Sequence, residues 1–139
     1  DLRVLPTDLD ALGHMNNGRY LPLMDLGRLA LMARSGLSAI ARRNGWFPLV
    51  RGIEIEYLKP LGPGRRFRLH TRLLSWDRKW LYLEQRFVVG DTIHARAHVR
   101  GLLRGREGNV ATATLLASLG AADLEPPAPP PADVGAPPT

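Results

Sequence analysis

The hydrophobic pattern changes character once along the chain. Around residues 20–35 apolar positions recur at helical spacing: Leu21, Met24, Leu29 and Met32, with Leu23, Leu26 and Leu31 between them. Apolar residues on more than one face predict a helix buried in a larger core. Asn16 or Asn17 can cap its start, Pro22 is tolerated in its predicted first turn, and Gly36 suits the left-handed position that closes it. Residues 37–43 predict a second short helix. After Gly45 the period falls to two, and residues 50–58, 67–74, 80–89, 93–103 and 109–116 read as strands. Ile53, Ile55 and Tyr57 alternate with Glu54 and Glu56 in the first of them. A short strand-like start at residues 2–5 is stopped by Pro6. Long strands joined by short turns predict an antiparallel meander. One long apolar helix with one such sheet predicts an α+β layer in which the sheet wraps the helix.

Composition sets the limits of this picture. The chain has 139 residues, enough for one domain but too few for a TIM barrel of roughly 250 residues. Seven of its 12 prolines fall within residues 126–138, so residues 118–139 are expected to be a disordered Pro/Ala-rich extension and residues 1–117 the folded domain. Zero cysteines exclude a disulfide scaffold, a thiolate metal site and a thiol nucleophile. No run approaches the ~18 apolar residues of a membrane span.

The formal charge is +6, and 17 of the 19 cations are Arg. Asp123, Glu125 and Asp133 belong to the extension; without them ten acids face 19 cations, leaving the domain at +9. A basic balance suits anionic partners. Aromatic residues are only 6% of the chain, which leaves few stacking platforms, so nucleic acid is not the expected partner. His94 and His98 share a strand face roughly 13 Å apart, too far for joint ligation, and are expected, like His70, to line the sheet. Trp76 and Trp80 flank a turn at a sheet end.

Chemistry concentrates in residues 8–20, Asp-Leu-Asp-Ala-Leu-Gly-His-Met-Asn-Asn-Gly-Arg-Tyr. Two acids, a histidine and two asparagines sit in a loop that feeds the start of the long helix. Free N–H groups at a helix start can hold a developing oxyanion, and an acid a few residues upstream can curl back beside them. A carboxylate, an imidazole and an oxyanion site together suit hydrolysis of an activated acyl group. The simpler account is a capped turn.

The order of these residues, D-x-D-x-x-G-H-x-N-N-x-x-Y followed by M-D-x-x-R, resembles the start of hotdog-fold thioesterases of the 4-hydroxybenzoyl-CoA thioesterase superfamily. It is also similar to the D-x-N-x-H-x-N-N segment of plant acyl-ACP thioesterases. Glu56-Tyr57-Leu58-Lys59-Pro60-Leu61, then Gly64, is similar to the family's strand leading into a turn. The resemblance implies a hotdog fold, a long central helix wrapped by a five- to six-stranded antiparallel sheet, and an acyl-CoA thioesterase. It implies that Asp10 is the catalytic acid, that His14 assists, and that the Asn17 backbone N–H polarises the thioester carbonyl. Asp25 matches a helical acid used by another branch; its alternative role is an ion pair with Arg28. Leu12 departs from the asparagine of the acyl-ACP branch and moves the expectation toward acyl-CoA.

Met15, Asn16, Gly18 and Tyr20, beside the loop, and Arg51 are the candidates for substrate contact, with Arg65 and Arg66 as further candidates for CoA phosphates. No metal or prosthetic cofactor is expected. The resemblance implies a homodimer whose sheets join edge to edge with each site at the subunit interface, able to pair further into a tetramer, and a cytoplasmic, bacterial enzyme is the expectation. A hotdog hydratase or dehydratase and a non-catalytic acyl-thioester-binding protein are the alternatives.

Overall fold

A computed structural model describes residues 1–126. The elements run β1 (Leu2–Arg3), a 3-10 turn (Pro6–Asp8), α1 (Asn17–Ser35), α2 (Leu37–Asn44), β2 (Phe47–Tyr57), β3 (Arg66–Trp76), β4 (Leu81–Val89), β5 (Thr92–Gly105), β6 (Gly108–Asn109) and α3 (Thr112–Ser118). All strand pairs are antiparallel, in the order β1-β3-β4-β5-β2, with β6 paired to β5. The predicted meander is β3-β4-β5, and β2 returns to the far edge beside β5. The expected α+β layer is present, with α1 against one face of the sheet.

Asn16 is the N-cap of α1: its side chain accepts from the Gly18 N–H at 2.8 Å. At the other end Gly36 takes φ 84°, a left-handed conformation that glycine adopts without strain. Four expectations are corrected here. The helix starts at Asn17, so Pro22 lies in its second turn rather than its first. Proline has no N–H, and the Gly18 carbonyl therefore lacks its usual donor, which the exposed position of Gly18 leaves to water.

The helix is also not buried all round. Tyr20 and Met24 are buried, but Leu26 is 61% exposed and Leu29 53%, because one sheet covers only one side. The last predicted strand, residues 109–116, is mostly helix α3. Ala and Leu favour helix there, and Thr112, Leu115 and Leu116 fall at the i, i+3, i+4 spacing that buries one helical stripe. Leu119 packs beyond α3 against the cluster of Leu37, Leu103 and Leu115. The extension is expected to begin at residue 118, but α3 reaches Ser118 and Leu119 still packs on the core; from residue 127 onward it lies outside the described residues.

The main core joins α1 to the sheet through Tyr20, Met24, Phe67, Phe87, Ala97 and Val99. Within it sits the fully buried side chain of Gln85. The Gln85 amide donates to the Met24 carbonyl at 3.0 Å and to Thr71 Oγ1 at 2.9 Å, and accepts from Arg28 at 2.9 Å. Every capacity that matters is satisfied, so Gln85 pins the helix to β3 and β4 rather than weakening the core. Gly27 lets the helix approach that closely.

At the β3–β4 turn, Asp77 accepts from the Lys79 and Trp80 N–H groups and from the Tyr82 hydroxyl, at 2.9, 2.6 and 3.0 Å. Trp80, one of the two expected sheet-end aromatics, packs under Lys79 and Arg100. Partial burial pushes the Asp77 carboxyl up, but the Trp80, Lys79 and Tyr82 hydrogen bonds and Arg100 outweigh it and hold it below its usual value. Its contribution is therefore present above the unfolded carboxylate value near ~3.9 and disappears as pH falls through the lower folded value. Asp77→Asn should lose about 1 kcal/mol at pH 7. Urea melts should show the gap to wild type closing as pH falls below the unfolded carboxylate value; a gap that persists at the acid end contradicts the assignment.

Candidate active site

The two acids of the D-x-D segment have different work. Asp8 is buried: it accepts from the Leu5 N–H and from Arg19, both at 2.8 Å, and its carbonyl accepts from the Asn16 N–H at 2.7 Å. It is a clamp that fixes the approach to α1. Asp10 is exposed. One of its oxygens, Oδ1, accepts from the Leu12 N–H at 2.9 Å and the His14 N–H at 3.3 Å. The Asp10 N–H donates to the His14 carbonyl at 2.8 Å, closing a tight loop over residues 10–14. The second carboxylate oxygen takes no hydrogen bond from the described residues. The capped turn and the candidate chemistry are thus the same object: the turn uses one oxygen and leaves the other outward.

Met15 anchors this loop from below. It is buried, and its N–H donates to the Leu61 carbonyl at 2.8 Å. The result is a cleft of about 210 Å³ lined by Asp10, His14, Met15, Asn17, Tyr20 and, from the end of β2 and the turn after it, Tyr57, Leu58, Lys59 and Pro60. At the start of α1 the Gly18 N–H is used by the Asn16 cap and the Arg19 N–H by the Asn16 carbonyl. The Asn17 N–H has no partner among the described residues. A helix N-terminus with one free donor facing a carboxylate and an imidazole can polarise a carbonyl and hold the charge that develops on it.

Asp25 does not join them. It pairs with Arg28, three residues on, and lines a separate apolar cavity on the other half of α1. Burial pushes the Arg28 guanidinium below its ordinary value, while Asp25 acts in the opposite direction. Among the described residues no group of three or more His, Asp and Glu side chains comes together as a metal site. None of the described helices is long and apolar enough to cross a membrane.

The sequence profile of the Thioesterase-like superfamily matches residues 4–136. The chain belongs to that superfamily. Its Xenopus laevis relative "Protein THEM6" is 43% identical over 104 residues, covering 70% of this chain and 50% of that one. The chain spans half or less of the length of the THEM6 relatives it matches. Among solved structures, the probable thioesterase YbaW of Escherichia coli superposes with a TM-score of 0.80 at 20% identity, over 87% of this chain and 95% of that one. A Staphylococcus aureus protein solved in complex with CoA gives 0.76 at 17% identity, over 99% and 91%. Such likenesses establish the fold, and the fold is hotdog, as expected from the motif.

Besides Asp25, the expected residues of this superfamily member fall into three places. Asp10, His14, Met15, Asn17 and Tyr20 line the cleft. Asn16 and Gly18 stand beside it as cap and capped donor rather than in its wall. Arg51 is elsewhere: it occupies the irregular register between Val50 and Gly52 in the middle of β2, away from the Tyr57 end that borders the cleft. Four cleft residues were not among the site candidates, Tyr57, Leu58, Lys59 and Pro60, and two of them carry polar groups, Tyr57 and Lys59. The Tyr57 hydroxyl reaches the Asn17 carbonyl at 3.5 Å, and its ring meets Tyr20 edge-on at 5.0 Å. Burial pushes both phenols above their ordinary value, so both stay neutral. The signal that could have found them was the Glu56–Leu61 segment itself, which the resemblance treated as a marker of fold.

His94 and His98 behave as sheet residues. His94 Nδ1 lies 3.1 Å from the Pro60 carbonyl, and His98 faces Glu84 at 3.8 Å, beside Arg72 and Arg86.

Proposed function

We propose that this chain is an acyl-CoA thioester hydrolase acting through the Asp10 cleft. The observation that carries the proposal is the convergence of a carboxylate oxygen, an imidazole and the partnerless Asn17 N–H on one cleft. The thioester carbonyl oxygen accepts from the Asn17 N–H, which draws electron density from the carbonyl carbon. Asp10 removes a proton from water as the water oxygen attacks that carbon. The tetrahedral oxyanion collapses, the carbon–sulfur bond breaks, and the thiolate takes the proton held by Asp10, with His14 beside it. Water and thioester become acid and thiol, and the step draws on no metal or prosthetic group. Lys59, a cation in the cleft wall, is better placed than Arg51 to meet a CoA phosphate.

A second copy completes the particle. β2 is an open sheet edge, with Phe47, Val50, Tyr57 and Leu58 exposed along or just beyond it and Leu21, Leu26 and Leu29 exposed on α1. Pairing two such edges buries both apolar surfaces and removes an aggregation hazard. Thiol release and enoyl-CoA hydration, assayed side by side, test the reaction class. Hydrolysis predicts thiol release without hydration, hydration alone makes the chain a hydratase, and binding with neither makes it a non-catalytic acyl-thioester protein.

A further inference from the structure

Thioester cleavage in the Asp10 cleft needs the Asn17 N–H to be both free and held in one direction, because an oxyanion donor works by being aimed before charge develops. Its freedom comes from the cap. The Asn16 N–H donates to the Asp8 carbonyl at 2.7 Å, the Gly18 N–H to the Asn16 side chain at 2.8 Å and the Arg19 N–H to the Asn16 carbonyl at 2.9 Å. Of these neighbours, Asn17 alone is left over among the described residues. Its direction is poorly secured by the helix itself. Gly18 is the second residue of α1, and Pro22 offers the Gly18 carbonyl no N–H. Asn16, Asn17 and Gly18 are also exposed, so packing does little to hold them.

Asp8 supplies what this turn lacks. The residue is 5% exposed, and it grips the helix start on both sides of Asn17. Its carbonyl takes the Asn16 N–H, one residue before, and its Oδ1 takes Arg19 Nε at 2.8 Å, two residues after. Its Oδ2 accepts from the Leu5 N–H at 2.8 Å, which ties the grip to the chain leaving β1. That chain is fixed in turn: the Val4 N–H donates to the Arg65 carbonyl at 2.9 Å, and the Gly64 N–H to the Val4 carbonyl at 3.1 Å. The Arg19 side chain is 47% exposed, so its guanidinium stays hydrated and the pair avoids most of the desolvation cost of a buried one.

The same grip spaces the base from the donor. Residues 8–16 form a small hairpin, with Asp8 and Asn16 at its root, a bridge between Leu9 and Met15, and the Asp10 N–H on the His14 carbonyl near its tip. The tip carries Asp10 and His14 and closes by itself, through the Leu12 and His14 N–H groups on Asp10 Oδ1. The root leads into the donor, and the Asp8–Arg19 contact locks it to α1. Neither Asp8 nor Arg19 lines the cleft.

We propose that Asp8 and Arg19 are positioning residues: their contact holds the Asn17 N–H on the thioester carbonyl and raises turnover without touching the substrate. The proposal rests on the thioesterase reading and adds to it what fixes the oxyanion donor relative to the Asp10 base.

Asp8→Asn and Arg19→Met weaken the contact from its two ends, and methionine keeps an apolar stem that suits a helix. Thermal melts give the range in which each variant is folded, and thiol release is measured well inside it on the acyl-CoA that the wild type cleaves fastest. In whichever variant folds, kcat should fall about 10- to 100-fold with KM within about two-fold, since a donor misplaced by about 1 Å costs the transition state more than the bound substrate. Arg19→Lys should recover most of that kcat, because the contact is a single one through Nε and an ammonium can replace it. A purely structural role would lower the melts and leave kcat unmoved in the folded range. The second readout needs no substrate. The Asn17 amide should be rigid in the wild type, with an NMR order parameter near ~0.85, and should fall below ~0.6 in the variants while the Leu115 amide of α3 is unchanged. Loss of kcat together with loosening at Asn17 upholds the proposal. A kcat within about two-fold of wild type in the folded variants, or an Asn17 amide as rigid as in the wild type, overturns it. If the wild type releases no thiol from any acyl-CoA, the hydrolase reading fails, and the Asn17 order parameter decides the positioning role alone.

Discussion

Asp10→Asn should lower kcat by about 10²- to 10⁴-fold, the usual worth of a positioned general base. The substitution separates chemistry from structure because the turn needs only an acceptor at Oδ1. An asparagine oxygen there still accepts from the Leu12 and His14 N–H groups, so the loop keeps its shape. What disappears is the second oxygen's ability to take a proton from water. KM should therefore move little while kcat collapses, the signature of a contribution made in the transition state. Asp25→Asn is the companion variant. It lies near the middle of α1, lines the other cavity and pairs with Arg28. Loss of turnover in Asp25→Asn with Asp10→Asn active would make the helical acid the base.

Gly27→Val should be the most damaging single change to the fold outside the cleft. Glycine in a helix normally costs up to about 1 kcal/mol relative to alanine, so a glycine here needs a reason. The reason is contact distance. A Cβ would meet Thr71 Oγ1 at 2.7 Å, Gln85 Nε2 at 2.9 Å and Leu69 Cδ2 at 3.0 Å. None of these can retreat cheaply, since Thr71 and Gln85 are hydrogen-bonded to each other and Gln85 holds the Met24 carbonyl and Arg28. Valine adds two further carbons, so either the helix lifts or the Gln85 network breaks, leaving buried groups unpaired. The expected cost is about 3 kcal/mol, or a melting temperature lower by roughly 10 °C. Gly62→Ala, where nothing lies within 4 Å, is the control and should melt like the wild type. Equal melting of Gly27→Val and the control would remove the close-approach account of α1.

Periodicity located most of this architecture. The switch from helical to alternating spacing at Gly45 marks the end of α2, and β2 to β5 fall where alternation predicts them. The last predicted strand failed because residues 109–116 are apolar and short, a pattern that helix and strand share until flanking contacts decide. The all-round apolar helix was a pattern read too far: Leu26 and Leu29 are exposed, because one sheet covers only one side of α1.

The site was legible as far as it was local. Asp10, His14 and Asn17 are neighbours in sequence, so their order alone brought them together. Tyr57 and Lys59 reach the cleft from the other end of β2, and only the packing of Met15 against Leu61 puts that turn beside the loop. The different duties of Asp8 and Asp10 were equally hidden, since burial of one and exposure of the other depend on where Arg19 and Leu5 come to rest. The second cavity gave no local signal, because its leucines come from seven different elements.

The central claim is that the Asp10 cleft cleaves thioesters. Its most direct test is continuous thiol release by the purified chain over acyl-CoAs of increasing length. Multiple turnovers on at least one acyl-CoA are expected, with free acid and CoA in equal amounts and loss of that turnover in Asp10→Asn. No thiol release from any member of the series, or equal rates for wild type and Asp10→Asn, would contradict it.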